Sequence, residues 1–475
     1  MYYQTCCKAT GPDGISARIL KEFAPELSPL LTNIFNKSIQ EGEVPKDWRQ
    51  ANVIPVFKKG EKYIASNYRP VSLTCICCKI FEHIVVTSIL NHLNAHKILI
   101  DCQHGFRAKR SCETQLLTLS YELAENLHKG IQTDLIILDF SKAFDKVPHN
   151  KLLMKMENYG IRGNTWGWVR SFLSVRTRQV LLDGEKSSQL PVVSGVPQWL
   201  VLGLLLFLVF INDLPASVSS KFRLFADDCI LYRNIYTKED CKVLQEDLHR
   251  LEKWEKAWGM EFHPGKCNSM FITRARSLFE HRYTLKGHIL EDVKEARYLG
   301  FTVSSNLTWN THIGNITSKA NKLLGSLRRN ESTNENAYKA IVRSSLEYCS
   351  TVWAPHTKKN KDEIEKVQRR AARFVTGRYH NTSSVSSMID HLNWESLQQR
   401  RQKARVIMLY KIIHNEVDIN PQSYLRKQER ATRSAHPYQF QTYSPTTDYF
   451  QYSFFPQTVC ICNSLPFLDQ FRTLI

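Results

Sequence analysis

Apolar positions in the first half of the chain change repeatedly between helical and strand-like spacing. Intervals of three and four residues between positions 27 and 35 predict a helix, and positions 111–129 predict another. Short apolar runs at positions 53–57 and 68–73 predict strands, and a further helix then extends to about position 96. With 475 residues, the chain is long enough for two or three domains with separate cores.

Two aspartate positions follow strongly apolar segments. The run Leu135–Leu138 is typical of a strand buried on both faces, and Asp139 comes directly after it. Positions 224–232 predict a strand, a tight turn and a strand, with Asp227 and Asp228 in the turn. Carboxylates beside such strands cost desolvation free energy unless divalent cations such as Mg²⁺ offset it. Two unrelated turn aspartates are the alternative for this feature taken alone.

The most apolar stretch of the chain covers positions 192–211. Positions 199–211 are almost purely apolar, and the less apolar residues before them bring the run near membrane-spanning length. Glycine, proline and glutamine at positions 195–198 interrupt the run, and Asn212 ends it. We therefore expect a buried core helix here rather than a membrane span.

The second half of the chain is predicted to be helical and basic. An amphipathic helix covers about positions 238–258, and helices dominate beyond position 306. Positions 361–405 hold ten Lys and Arg against five Asp and Glu, and the whole chain has a formal net charge of +19. This surplus favours nucleic acid as a partner, because each basic contact to a phosphate releases counterions. A solvated basic surface is the alternative.

Cysteine usage and the N-terminus indicate an intracellular protein, nuclear or cytoplasmic. The 13 Cys are odd in number and lack disulfide-framework or zinc-finger spacing, which favours reduced thiols. The first residues lack the basic and then apolar pattern of a secretory signal. The chain enters its first motif, at Gly11, almost directly, which indicates a truncated or partial product.

Several short motifs occur in a fixed order. They read Asn-Tyr-Arg-Pro-Val-Ser-Leu at 67–73, Gln-His-Gly-Phe-Arg at 103–107, Leu-Asp-Phe-Ser-Lys-Ala-Phe-Asp at 138–145, Gly-Val-Pro-Gln at 195–198, Phe-Ala-Asp-Asp at 225–228 and Tyr-Leu-Gly at 298–300. Their order and spacing closely resemble the reverse transcriptases of non-LTR (LINE-type, jockey-like) retrotransposons. The resemblance covers nearly the whole chain, from Gly11 to Pro456.

The resemblance implies an α+β fold, a right-hand polymerase with a ferredoxin-like palm, fingers and a helical thumb. The implied divisions are an N-terminal helical extension at 1–38, fingers and palm of the reverse transcriptase domain at 39–304, a basic helical thumb or connection at 305–420 and a partly ordered C-terminal segment at 421–475. The implied partners are an RNA template, a DNA primer and deoxynucleoside triphosphates, with no membrane.

Carried over to matching positions, the resemblance places the metal ions at Asp139, Phe140, Asp227 and Asp228. Two Mg²⁺ ions, or Mn²⁺, lying about 3.5–4 Å apart would activate the 3′-hydroxyl and stabilise the leaving pyrophosphate. The resemblance also implies that Lys266 is the general acid for pyrophosphate.

Further residues would bind the nucleotide and the primer. Lys and Arg suit contacts to the triphosphate as charged donors. A ring at Phe144 would clash with a 2′-hydroxyl and so favour deoxynucleotides over an RNA product. The resemblance implies nucleotide contacts from Lys58, Lys59, Arg69, Phe140, Phe144 and Gln198, and a primer grip formed by Tyr298, Leu299 and Gly300.

Four positions depart from the family pattern. Trp199 and Leu200 stand where the family has Gly-Ser, and Leu204 stands where it has proline. Glycine allows close approach of the backbone to a ligand. The indole of Trp199 is therefore expected to block the site or to tilt Gln198 away from it. His263 replaces an asparagine just upstream of Lys266.

The implied function is RNA-templated DNA synthesis by a two-metal mechanism, impaired in this copy. A catalytically inactive nucleic-acid-binding protein derived from the same family is the alternative, and a basic scaffold or membrane-associated protein is a third. The upstream endonuclease of such elements has no room before Gly11, so we expect no nicking of a target by this chain alone.

Overall fold

The computed structural model describes residues 10–58, 60–198, 200–329, 335–380, 382–427 and 439–464. Lys59 and Trp199 lie outside the described residues. Helices and sheets are both abundant, which confirms the α+β class.

The chain forms two compact units. The first consists of Met1–Phe106, Leu138–Cys229 and Glu246–Pro264, and the second of Arg107–Ile137, Ile230–Gln245 and Gly265–Ile475. The domain boundaries implied by the family resemblance stay predictions.

Helices and strands alternate through the first 304 residues, and helices follow. The helices are α1 (Ala17–Glu22), α2 (Ala24–Glu41), α3 (Ile76–Ala95), α4 (Cys112–His128), α5 (Ala143–Lys146), α6 (His149–Asn158), α7 (Gly163–Leu173), α8 (Val201–Ile211), α9 (Lys238–Trp258), α10 (Asn310–Arg329), α11 (Glu335–Ala337), α12 (Ser344–Glu347), α13 (Ser350–Trp353), α14 (Lys358–Thr376), α15 (Val385–His391), α16 (Leu397–Ile413), α17 (Asp448–Gln451) and α18 (Phe454–Ser464), with a π-helix at Tyr338–Arg343. The strands are β1 (Gln50–Phe57), β2 (Tyr68–Leu73), β3 (Gln132–Leu138), β4 (Arg176–Leu182), β5 (Glu185–Lys186), β6 (Leu190–Val192), β7 (Lys221–Phe225), β8 (Asp228–Ile235), β9 (Asn268–Ile272), β10 (Thr284–Leu285), β11 (His288–Ile289), β12 (Glu291–Asp292), β13 (Glu295–Tyr298) and β14 (Phe301–Ser304).

A mixed sheet and a group of aromatic side chains form much of the first unit. β1 pairs antiparallel with β2 and parallel with β4, while β5 and β6 pair antiparallel with β4. Phe81 stacks on Phe35 with ring centroids 4.6 Å apart and meets Trp168 edge-on at 5.1 Å. Buried rings of this size contribute strongly to core stability, so the cluster holds α2, α3 and α7 together.

A buried lysine holds the C-terminal end of α8. Lys155 is 2% exposed, and its Nζ donates to the Phe210 carbonyl at 2.6 Å and to Asp213 at 2.5 Å. The ammonium also lies 3.6 Å from the ring centroid of Trp258. Burial lowers the pKa of Lys155 to about 8, although its bond to Asp213 opposes that shift. A buried charge is tolerated when it is paired and hydrogen-bonded, and these contacts meet both conditions.

The apolar run at positions 192–211 is only partly helical. α8 has 11 residues, or a length of about 16 Å, and nearly all of them are buried, which agrees with the predicted core helix. Across the described parts of the chain, α3 is the one helix that is long and apolar enough to cross a membrane, and half of it is buried. Core helices commonly meet the same criterion, so this feature is weak evidence for a span.

The second unit combines a sheet with a large helical region. Its strands follow the order β12-β9-β3-β8, with β3 antiparallel to β9 and β9 parallel to β12. Every residue of β3 is buried, which confirms the prediction of a strand covered on both faces. α14 packs on both α10 and α16, so the predicted helical region beyond position 306 is also confirmed.

Part of the positive charge between residues 361 and 405 lies inside the second unit. Arg401 and Arg405 are 3% and 1% exposed. The guanidinium of Arg405 donates to the hydroxyl of Thr458 at 3.2 Å and to the Ser453 carbonyl at 2.7 Å. Arg405 thus supports the fold, and neither buried arginine can reach a phosphate, so the charge count overestimates the nucleic-acid surface of this segment.

Replacing Arg405 tests this structural role. Arg405→Ala is expected to lower the free energy of unfolding by about 3 kcal/mol, because it leaves buried acceptors without a donor and opens a cavity. Arg369→Ala, at an exposed position on α14, is the control and is expected to change stability by less than about 0.5 kcal/mol. Urea denaturation followed by circular dichroism measures both, and equal losses would contradict the assignment.

Candidate active site

Three aspartates share one electrostatic environment in the first unit. Asp139 follows β3 directly, Asp228 begins β8, and β3 and β8 are neighbours in their sheet. Burial, then the charges of Asp227 and Asp139, raise the pKa of Asp228 to about 6. Burial and the charge of Asp139 likewise raise the pKa of Asp227. The structure therefore brings together the three carboxylates that the sequence singles out.

Two cations from the β1–β2 hairpin oppose this negative charge. Lys58 and Arg69 both lower the pKa of Asp227, although burial outweighs them. Arg69 lies opposite Val56 across the hairpin, and the Lys58 amide donates to the Asn67 carbonyl at 2.8 Å. Both cationic side chains are exposed, so they are open to a polyanionic ligand. The third predicted cation, Lys59, lies outside the described residues.

A buried glutamine fixes the turn that carries Asp227. Gln103 is 2% exposed, and its Oε1 accepts from the amides of Ala226 at 3.0 Å and Gly105 at 2.8 Å. Ala226 has a φ of 54°, a left-handed conformation that costs an alanine free energy. A Cβ on Gly105 would lie 2.5 Å from the Ala226 nitrogen, so only glycine fits there. The Gln-His-Gly motif thus supports the aspartate turn, a role that the sequence did not predict.

The segment after Asp139 is held by the residues just before Lys266. The amide of His263 donates to the Asp139 carbonyl at 2.8 Å. Phe140 forms a β-bridge with Phe262, and their rings stack at 4.3 Å. Because the Phe140 ring is buried in this stack, only its backbone can serve the predicted metal and nucleotide contacts. The backbone contact of His263 does not require the asparagine that the family has there.

The predicted sugar-contacting residue and the Gly-Val-Pro-Gln motif are adjacent. The amide of Val196 donates to the Phe144 carbonyl at 2.8 Å, and that of Gly195 donates to the Val147 carbonyl at 2.9 Å. Gly195 has a φ of 87°, and a Cβ on it would lie 2.7 Å from the Asp145 carbonyl oxygen, so this position requires glycine. The ring of Phe144 is 6% exposed and stacks on Phe207 of α8 at 4.3 Å.

Gln198 lines a cavity of about 60 Å³ in the first unit. Its side chain is half-buried. Ser72 of β2, Arg176 and Arg178 of β4, and Asp145 also line this cavity. The predicted template-facing glutamine therefore lies among polar and charged side chains from several elements.

Lys266 and the Tyr-Leu-Gly motif belong to the second unit. Lys266 ends a short 3₁₀-helix and is exposed, and its role as a general acid stays a prediction. Leu299 and Gly300 have φ values of 48° and 78° and form the turn between β13 and β14. The hydroxyl of Tyr348 donates to the Leu299 carbonyl at 3.0 Å, which fixes that turn.

The aspartate oxygens suit a hard cation, but they do not form a ready-made metal site. Within the described ranges, no group of three His, Cys, Asp or Glu side chains converges closely enough to hold a metal ion. Magnesium usually binds through one or two carboxylates and completes its shell with waters and substrate phosphates. Crowded carboxylate oxygens with raised pKa values fit an ion that binds together with substrate.

Comparison with known proteins identifies the family. The family described as reverse transcriptase (RNA-dependent DNA polymerase) matches residues 56–303. The RNA-directed DNA polymerase from mobile element jockey of Drosophila melanogaster is 29% identical over 392 residues, 78% of this chain and 42% of that protein. The probable polymerases from transposon BS and transposon X-element of the same species are 28% and 26% identical, over 78% and 82% of this chain.

The chain spans less than half the length of these relatives. Among solved structures, a truncated apo telomerase from Candida tropicalis aligns over 59% of each chain at 12% identity. Its TM-score of 0.39 is too low to establish a common fold. The sequence matches and the ordered motifs suffice: the chain belongs to the reverse transcriptase family, among the enzymes of jockey-like non-LTR retrotransposons.

Proposed function

We propose that this chain is built to extend a DNA primer on an RNA template by two-metal nucleotidyl transfer. The observation that carries the proposal is the convergence of Asp139, Asp227 and Asp228 beside Lys58 and Arg69. Neighbouring carboxylates in a partly desolvated place repel one another, and cations bound with a triphosphate would relieve that repulsion.

Each group in the site would have a distinct task. Asp139 and Asp227 would be the main metal ligands with Asp228 beside them, and bound Mg²⁺ would activate the 3′-hydroxyl and neutralise the leaving pyrophosphate. Lys58 and Arg69 would hold the triphosphate through charge-assisted hydrogen bonds. The Phe144 ring, fixed on Phe207, would lie under the sugar and disfavour a 2′-hydroxyl.

A right-hand arrangement accounts for where these residues lie along the chain. We assign the palm to β3, β7 and β8 with their aspartates, the fingers to the β1–β2 hairpin with its cations, and the thumb to the helices after β14. The turn at Leu299 and Gly300 would grip the primer, and Lys266 would protonate pyrophosphate. Exposed basic side chains of the thumb would contact the template–primer backbone without reading sequence.

A catalytically inactive binding protein is the second candidate, and one observation favours it. Leu200 occupies the N-cap of α8, directly after the turn that carries Gln198. The family has serine at this position, and serine would cap the helix where leucine cannot. The helix that follows Gln198 therefore lacks the capping side chain that the family pattern supplies.

Primer extension separates the two candidates. With homopolymer RNA, a DNA primer and Mg²⁺ or Mn²⁺, the chain as written is expected to extend poorly. Trp199→Gly with Leu200→Ser is expected to raise extension at least about tenfold, because a lost transition-state contact of about 1.4 kcal/mol has that effect. The chain carrying Trp199→Gly and Leu200→Ser is called the repaired chain, and Asp227→Asn in the repaired chain is the inactive control.

Robust extension by the unaltered chain would contradict the impairment. Template–primer binding without extension, in the repaired chain as well, would favour the binding protein instead.

Metal binding by the aspartates should depend on pH. The pKa of Asp228 is raised to about 6, so this carboxyl becomes protonated as the pH falls through that value and stops being a ligand. The affinity for Mn²⁺ is therefore expected to fall about tenfold per pH unit below about pH 6 and to level off above it. Calorimetric titration measures this dependence.

Two variants control the metal titration. Asp227→Asn is expected to abolish the binding, while Glu185→Gln on the exposed β4–β5 hairpin is expected to leave it unchanged. An affinity that does not vary between about pH 5 and about pH 7 would count against the aspartates as ligands.

A further inference from the structure

The helix that follows the Gln198 turn has no capping side chain of its own. α8 has Leu200 at its N-cap, and a leucine side chain cannot accept a hydrogen bond. The first amides of a helix lack intrahelical acceptors and usually bond to a Ser, Thr, Asp or Asn oxygen at the N-cap. Leu202, at the second helical position, is fully buried, so water cannot serve as the acceptor for its amide.

A carboxylate from α3 meets this need. Glu82 lies in the middle of an apolar helix and is fully buried. Its Oε2 accepts from the Leu202 amide at 3.4 Å, and its Oε1 accepts from the thiol of Cys78 at 3.7 Å. A negative charge at a helix N-terminus is also favoured by the helix dipole. The contact thus has the chemistry of an N-cap, supplied from another helix.

Arg176 offsets the burial of this carboxylate. Burial raises the pKa of Glu82 to about 7, and the charge of Arg176 and the bond from the Leu202 amide act against that shift. Arg176 itself is 4% exposed, and its guanidinium lies 4.4 Å from the ring centroid of Phe172. Arg176 also lines the cavity beside Gln198, so the positive charge that acts on Glu82 belongs to the same part of the first unit.

The first turn of α8 packs closely against the segment that carries Gln198. A Cβ on Gly203 would lie 2.0 Å from the Pro197 carbonyl oxygen, so the backbone of α8 lies directly against the residue before Gln198. The Val196 amide is bonded to the Phe144 carbonyl on the other side. A shift of Leu202 is therefore expected to displace Pro197 and the neighbouring Gln198.

We infer that Glu82 is a positioning residue, which caps α8 from α3 in place of Leu200 and thereby fixes the orientation of Gln198. The effect on the nucleotide rests on the proposed polymerase function, whereas the capping contact does not. If Glu82 only filled space in the core, removing its acceptor oxygen would not change the Gln198 turn.

Hydrogen exchange of the peptides covering residues 194–204 tests the cap without any activity. Glu82→Met removes the acceptor at similar volume and is expected to speed exchange there at least about tenfold, the factor for loss of one hydrogen bond. Glu82→Gln keeps an acceptor oxygen and is expected to stay within a few-fold of the parent chain. Glu41→Gln, exposed at the end of α2, is the control.

A second pair of variants separates capping from packing. Leu200→Ser and Leu200→Ala open nearly the same space, but only the serine can cap α8. In the Glu82→Met chain, Leu200→Ser is expected to restore protection of residues 194–204 and Leu200→Ala is not. Equal effects of the two, or unchanged exchange in Glu82→Met, would overturn the inference. If Glu82→Met does not fold, the same comparison is made in the Glu82→Gln chain, where the serine is expected to protect this segment more than the alanine.

Steady-state kinetics then test the positioning of Gln198. In the chain carrying Trp199→Gly, Glu82→Met is expected to raise the KM for deoxynucleotide at least about tenfold more than Glu82→Gln does, with a smaller change in kcat. Equal effects on kcat and KM in both variants would contradict positioning. Absence of extension in every variant would refute the proposed function alone, since the exchange data decide the cap independently.

Discussion

The proximity of three carboxylates is the constraint on which the candidate site of the first unit depends. Burial and mutual charge raise the pKa values of Asp227 and Asp228, so the folded chain stores an unfavourable interaction at this place. Such a cluster persists only where the surrounding structure holds it together. The neighbouring β1–β2 hairpin lowers the repulsion with two cations but does not remove it.

Hydrogen bonds from backbone amides help to hold the acidic residues in place. Gln103 fixes the strained turn at Ala226, and the amide of His263 fixes the carbonyl of Asp139. These are short-range bonds in a buried setting, where an unmade hydrogen bond costs about 1–3 kcal/mol. The positions of the aspartates are therefore determined in part by bonds to the main chain around them.

Much of the fold could be predicted from local pattern. The run Leu135–Leu138, the hairpin around Asp227 and the long amphipathic helix after position 238 all formed as their spacing predicted, because burial on one or two faces determines such periods. The apolar run at 192–211 was harder to interpret, because glycine occurs both before the helix, at Gly195, and inside it, at Gly203. Composition alone therefore could not locate the start of α8.

Long-range polar contacts could not be predicted from the sequence. Glu82 stands as a single acid in an apolar helix, which was a visible signal, yet its partner Leu202 is 120 positions away and cannot be inferred from spacing. Arg401 and Arg405 contribute to the charge count although both are buried, because such a count ignores which face of a helix is covered. Gln103 belongs to a family motif, but its hydrogen bond with the Ala226 amide could not be predicted without the tertiary structure.

The interleaving of the two units along the chain has a consequence for synthesis on the ribosome. The first unit takes its segments from both sides of residues 107–137 and ends only at Pro264, while the second begins at Arg107 and continues beyond it. A nascent chain cannot complete either unit until residue 264 has emerged. An insertion, stop or break anywhere between residues 107 and 264 leaves neither unit whole, so fragments of this protein should be targets for chaperones and proteases rather than independent domains.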